Sequence, residues 1–312
     1  MLLTVILLLV GLAMVVYGSD ILVDGASSVA RKIGISDFVI GIVIVGFGTS
    51  CPELVVSVTG ALDGSSAIAL GNVIGSNIFN VLLILGLTAV MLPIGVTKHN
   101  KTVDLPILLG VSLFFSLVVL KGTLNRVDAV IFLIIFALYV TYNLKAGKQD
   151  ESAEEEGSEK TYGLALSCLM IAGGLAGLIL GGKLFVNSAV DIAHALGASE
   201  KFIAVTILAV GTSLPELMTC VVAAAKKKGQ LALGNIVGSN VFNILLILGV
   251  AGLISPMETS SVNYVDLATL MIGALSLFVF AFASKKQQIG RPAGIIMLLF
   301  EVAYMVHLFI QL

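Results

Sequence analysis

The sequence predicts an all-α polytopic membrane protein. It is read as ten transmembrane helices in two five-helix repeats of inverted topology, with broken second and seventh helices at the centre. Three observations lead there. The 312 residues are 58% hydrophobic and 12% charged, with a mean hydropathy of +1.10, whereas soluble chains carry about 25% charge. The apolar residues fall into ten runs, each near the roughly 20 residues that span a bilayer. And the chain repeats itself at an offset of 163 residues. Two ordinary soluble domains, which length alone would suggest, are excluded by the missing charge. A net charge of −2 and a pI near 5.9 argue against a nucleic-acid partner; lipid is the expected surrounding, and no obligate protein partner is evident. Cys51, Cys168 and Cys220 are odd in number and lie in apolar runs, so neither a disulfide framework nor a metal-ligand spacing is expected.

The runs lie at about 2–30, 37–61, 67–91, 104–120, 126–144, 162–190, 201–225, 230–254, 264–283 and 291–311. The first has no basic segment before it and no small-residue cleavage site after it, so it reads as a span and not a removable signal. The first and sixth are long enough to tilt strongly. The domains are then 1–144 and 162–312, joined by an acidic stretch at 145–161 with Asp150, Glu151, Glu154, Glu155, Glu156 and Glu159. Blocks of like charge repel, so a solvated linker is expected there and not a Ca2+-sensing loop.

Thirteen of the 17 Lys and Arg residues follow odd-numbered spans: Arg31, Lys32, Lys98, Lys101, Lys145, Lys148, Lys160, Lys226, Lys227, Lys228, Lys285, Lys286 and Arg291. Positive charge stays inside, so these loops are expected in the cytoplasm and both termini outside.

The 163-residue offset carries Glu53 onto Glu216, Thr49 onto Thr212, Asn72 onto Asn235, Asn80 onto Asn243 and Pro93 onto Pro256 without a gap. Between Ala69–Gly86 and Ala232–Gly249, 14 of 18 positions are identical. Five spans per repeat turn the second copy upside down, a pattern of secondary transporters whose site lies at the midplane. A single-chain channel could share it.

Two motif pairs carry the chemistry. Gly48-Thr49-Ser50-Cys51-Pro52-Glu53 and Gly211-Thr212-Ser213-Leu214-Pro215-Glu216 each sit inside an apolar span. Proline has no N–H and its ring opens the preceding turn, so a broken helix with freed carbonyls is expected. A carboxylate at that depth is costly unless it faces water, a partner or an ion. Two matched glutamates in opposed repeats would meet near one point. In Gly71–Asn80 and Gly234–Asn243, Ser76 and Asn80 stand four residues apart, as do Ser239 and Asn243, and so share a helix face. Asn77 and Asn240 point to a neighbouring face, where bonding between helices beside close-packed glycines is expected. The donors are carboxylate, hydroxyl, amide and carbonyl oxygens. Hard cations such as Ca2+ and Na+ want this set.

These motifs, GTSCPE with GNVIGSNIFN and GTSLPE with GNIVGSNVFN, resemble the two α-repeats of the sodium/calcium exchanger family, within the cation/Ca2+ exchanger superfamily, in a short prokaryotic form. The resemblance covers nearly the whole chain. It implies a non-enzymatic antiporter with no cofactor, carrying Na+ and Ca2+ through four central ion sites by alternating access. On that likeness Glu53 and Glu216 bind Ca2+ and contribute to Na+ sites. Thr49, Ser50, Thr212, Ser213, Ser76 and Ser239 add oxygens, Gly46 and Ala209 donate carbonyls, and Asn80 and Asn243 take the central polar position. Some relatives, including an archaeal type and the K+-dependent branch, carry Asp where this chain has Asn243, so K+ independence is expected. The alternatives are an H+-coupled cation exchanger on the same fold and a passive cation channel. The resemblance also implies that spans 1 and 6 slide over the other eight.

Outside the motifs, Asp20 and Lys183 occupy equivalent positions and could pair, Asp24 is placed at a helix end, and Glu301 is expected to make peripheral hydrogen bonds. His99, His194 and His307 suggest no metal site.

Overall fold

The computed structural model describes residues 2–146, 162–196, 209–284 and 286–311. Its helices are α1 (Leu2–Ile33), α2 (Asp37–Thr49), α3 (Cys51–Leu62), α4 (Ser66–Met91), α5 (Asn100–Leu120), α6 (Arg126–Ala146), α7 (Leu164–Ala195), α8 (Ala209–Thr212), α9 (Leu214–Ala225), α10 (Gly229–Ile254), α11 (Tyr264–Ala283) and α12 (Arg291–Gln311). Among the described residues eight helices are long and apolar enough to cross a bilayer, and α2 with α3, bent by 48° at Ser50, makes a ninth. The predicted seventh span starts at 201; its first residues lie outside the described ones, and α8 and α9 carry the rest. Most of the acidic linker, 147–161, also lies outside them.

The spans differ in burial. In α4 and α10, 78% and 83% of the most apolar window is buried, against 22% in α1 and in α7. The two motif helices are therefore the centre of the fold, and α1 and α7 cover it from outside. These two have 32 residues each, so each is about 48 Å long, more than a ~30 Å hydrocarbon core requires. They run past the predicted ends at 30 and 190.

Helices α1 and α7 cross antiparallel through glycines. A Cβ on Gly11 would lie 2.6 Å from Phe185 N, one on Gly18 2.9 Å from Gly174 O, and one on Gly25 3.0 Å from Ser167 O. Contact of backbone on backbone is what small residues permit between apolar helices that gain nothing from hiding from lipid.

Two features depart from a purely helical plan. Short antiparallel pairs tie loops together: β1 (Ile94–Gly95) with β4 (Gln288–Ile289), and β2 (Thr123–Leu124) with β3 (Met257–Glu258). In addition, π-turns interrupt helices at Gly41–Gly46, Asn80–Leu85, Asn100–Asp104 and Asn243–Ile247. Such widened turns concentrate at functional sites, and no residue type announced them.

Asp20 pairs with a lysine other than its repeat-equivalent Lys183. Lys226, just after α9, lies 2.8 Å from Asp20 and 2.6 Å from Asp24, both on α1. Helix α1 continues to Ile33, so Asp24 is inside it and not at its end. Burial works against the Lys226 ammonium, but hydrogen bonds to Asp20 and Asp24 outweigh it and push its pKa up. A raised lysine pKa gives stability that is complete below the ordinary value of about 10.4 and fades only as pH climbs through the folded value. Lys226→Gln should therefore lower the thermal midpoint by the same small amount at pH 6 and pH 9, read by fluorescence-detected unfolding.

Glu301 also departs from expectation. It is 1% exposed, and neither carboxylate oxygen has a hydrogen-bond partner among the described residues.

Candidate cation site

Both breaks form as the proline motifs require. Ser50 leaves helical geometry at φ −81°, ψ 5°, and Ser213 does so at φ −87°, ψ 7°. A helix restarts one residue later in each case, with proline in its first turn, where the missing N–H costs nothing. Glu53 and Glu216 thus fall in the first turns of α3 and α9, where the helix dipole favours negative charge.

The glutamates are wholly buried and meet across the repeats. Glu216 Oε1 accepts from Ser50 Oγ at 3.2 Å, a bond from the first repeat to the second. Glu53 Oε1 faces Ser76 Oγ at 3.5 Å, and the Ser213 hydroxyl of the second repeat lies near it without a bond of its own. On the other wall Thr49 Oγ1 donates to Asn235 Oδ1 at 3.2 Å, and Ser239 Oγ donates to the carbonyl of Gly46 at 3.3 Å. The approach is close because α10 carries glycine where it meets α2: a Cβ on Gly238 would lie 2.7 Å from Ile42 Cα. Asn80 and Asn243 are buried completely. Thr212 is half-buried, and Ala209 opens α8 on the same broken element.

The structure therefore gathers Glu53, Glu216, Thr49, Ser50, Ser213, Ser76, Ser239, Asn80, Asn243 and Gly46 at the junction of α2, α3, α4, α9 and α10. Its chemistry shows in what is left unpaired. Among the described residues, Glu53 Oε2, Glu216 Oε2, Asn80 Oδ1, Asn243 Oδ1 and Ser213 Oγ are all buried without a partner. All are oxygens, and two belong to carboxylates. An unpaired buried acceptor costs about 1–3 kcal/mol, more if charged. Hard cations with 6–8 adaptable oxygen ligands satisfy this set.

Three further residues, one outside the motifs and two within them, shape the site without having been read as ligands. Thr219 is buried with an unpaired hydroxyl three residues beyond Glu216, on the same helix face; its equivalent in the first repeat is Val56, so the repeat gave no sign of it. Asn72 donates to the Glu53 carbonyl at 3.2 Å and to Ser57 Oγ at 2.9 Å. Asn235, already noted as its repeat mate, donates to Cys220 Sγ at 3.3 Å. Ser57 and Cys220 are repeat equivalents that hold the two asparagines, a pairing visible only once the helices are packed.

Comparison with known proteins matches nearly the whole chain. The family described as sodium/calcium exchanger protein matches residues 3–145 and 166–310. Sodium/calcium exchanger MaX1 of Methanosarcina acetivorans is 33% identical, over 97% of this chain and 98% of its own. Inner membrane protein YrbG of Escherichia coli is 34% identical, over 95% and 94%. The solved structure of the sodium-calcium exchanger NCX_Mj, from crystals soaked with Na+ and Sr2+, superposes with a TM-score of 0.87 at 36% identity, covering 98% of both chains.

Proposed function

The chain belongs to the sodium/calcium exchanger family, a family of membrane transporters and not of enzymes, and from that premise we propose that it is a secondary antiporter exchanging Na+ for Ca2+ by alternating access, K+-independent and electrogenic. One observation carries the reading: two buried carboxylates from equivalent positions, each with an unpaired oxygen, inside a set of hydroxyl and amide oxygens.

Charge sets the coupling. With both glutamates ionised the site holds −2. One Ca2+ neutralises it, and so do two Na+. A third Na+ leaves +1, so exchange of more than two Na+ per Ca2+ moves charge across the membrane. Both cations use one set of oxygens, so one species is carried at a time.

The ten-span plan in two inverted halves, 1–144 and 162–312 about the linker 145–161, has independent support. Helices α1 and α7 are repeat equivalents and run antiparallel. Among the described residues, loops pair in compatible combinations. The loop after span 3 pairs with the loop after span 9, and the loop after span 4 with the loop after span 8. Lys226, after span 7, reaches the second half of α1. These contacts support a plan in which the lysine-rich loops share one face, which we assign to the cytoplasm, with both termini outside in the inner membrane.

Purified protein in proteoliposomes tests the reading. A Na+ gradient alone is expected to drive 45Ca2+ uptake, faster when the membrane potential favours the net charge movement. Uptake that follows a pH gradient and ignores Na+ would make it a proton-coupled exchanger; flux that needs no counter-ion would make it a channel. Replacing Asn243→Asp adds a carboxylate at the central position. Wild-type uptake should be indifferent to K+ and the variant should respond to it; equal K+ response in both would remove Asn243 as the determinant.

A further inference from the structure

We infer that Asn77 and Asn240, outside the proposed ligand set, are positioning residues: they hold the Asn243 and Asn80 side-chain amides so that their oxygens, and not their nitrogens, face the cations. The inference rests on the cation-site reading above.

A chain of hydrogen bonds fixes the direction. Asn77 Nδ2 donates to the backbone carbonyl of Asn240 at 3.1 Å. A carbonyl can only accept, so Asn77 must turn its NH2 toward it. The other end of that amide is then Oδ1, which must meet a donor. Asn243 supplies it, Nδ2 to Oδ1 at 2.9 Å. With its nitrogen occupied, Asn243 has one free atom, Oδ1, and that atom is buried and unpaired. Asn80 has the mirrored arrangement: its Nδ2 donates to Asn240 Oδ1 at 3.3 Å, and its own Oδ1 is buried and unpaired.

The two arms are repeat equivalents, since 77 maps onto 240 and 80 onto 243. Each repeat thus orients the central amide of the other. Asn77 and Asn240 are 2% exposed, and Asn80 and Asn243 are wholly buried, so water does not compete for these bonds. An amide is nearly symmetric in shape, and nothing steric prevents it from presenting NH2 to a cation, which would repel it. In the Asn243 arm the preference for oxygen originates at one backbone carbonyl and passes through Asn77. The free oxygens lie on the helix faces shared with Ser76 and Ser239, the faces that meet Glu53 and Gly46. The arrangement also suits asparagine at 243: a carboxylate there would set oxygen against Asn77 Oδ1.

The test is a double-mutant cycle on the full chain in proteoliposomes, reading KM for Ca2+ and Vmax separately. Asn77→Ala is expected to raise the Ca2+ KM roughly tenfold, the upper end of what one net hydrogen bond is worth. Asn243→Ala should raise it at least as much. If Asn77 acts through the Asn243 oxygen, the double variant is no worse than Asn243→Ala alone. Multiplying effects, or an unchanged KM in Asn77→Ala, would overturn the inference. Should Asn77→Ala fail to fold, Asn77→Asp keeps an oxygen facing Asn243 Nδ2. A Ca2+ KM no more than about twice the wild-type value supports the relay, and a larger rise counts against it. Failure of wild-type vesicles to couple Ca2+ to Na+ would sink the Na+ reading and not the relay, which equilibrium 45Ca2+ binding to the same variants then decides.

Discussion

Glu216→Gln is expected to fold and to lose Ca2+ transport by 100-fold or more. The substitution keeps shape, turns one acceptor oxygen into an NH2 donor and removes one charge. The site then holds −1, and a bound Ca2+ leaves a full positive charge uncompensated in a buried place. Breaking a buried ion pair from one side costs about 3–5 kcal/mol, and about 1.4 kcal/mol is a factor of ten. Glu53→Gln should behave alike, because the two residues occupy equivalent turns and both are wholly buried. The measurement is 45Ca2+ uptake into proteoliposomes containing equal amounts of monodisperse protein. Retained uptake in either single variant would defeat the site assignment. Glu301 is the internal comparison. It too is a buried glutamate with unpaired oxygens, but it stands on α12, outside the two motif pairs. Glu301→Gln should leave uptake near wild type.

The contrast between these glutamates shows what could be read from the chain. Glu53 and Glu216 were legible because repetition, proline and charge coincide at them. Proline forces the break, the break frees polar backbone, and the duplicated carboxylate says what the break is for. The stripe Ser76–Asn80 and its mate Ser239–Asn243 follow from helical spacing. Glu301 offered one signal without a neighbour, and its expected hydrogen bonds are absent among the described residues. Lys226 was legible only as a positive loop residue. Its partners Asp20 and Asp24 lie about 200 positions away on α1, and a competing match, Lys183, was suggested by the repeat. Thr219 has no repeat mate to point to it. The π-turns at Asn80 and Asn243 follow ordinary helix-forming residues; they arise from packing, which no local pattern encodes. Asn77 was placed on the right face, but that its amide has a direction required the carbonyl of Asn240 opposite it.

Gly234→Val should disrupt the site from a distance. A Cβ at Gly234 would lie 2.2 Å from the carbonyl oxygen of Phe38 and 2.9 Å from its carbon. Both are backbone atoms of α2, so no side chain can swing aside; one helix must move. Helix α2 carries Gly46, whose carbonyl meets Ser239, and Thr49, which meets Asn235. Pushing α2 off α10 by an ångström breaks both contacts and opens the wall facing the glutamates. Forcing extra atoms into a packed core costs about 1–3 kcal/mol where neighbours can adjust, and here they cannot, so the loss should reach or exceed the top of that range. The expected result is a large fall in the thermal midpoint together with absent uptake in whatever folds. Gly110→Ala supplies the matching comparison. Gly110 lies in α5, where among the described residues no packing neighbour comes within 4 Å of an added Cβ, and alanine there removes a helix penalty of about 0.5–1 kcal/mol. That variant should unfold at the wild-type temperature or slightly above it and transport normally. Normal uptake in Gly234→Val would mean that the close approach of α2 to α10 does not set the geometry of the ion site.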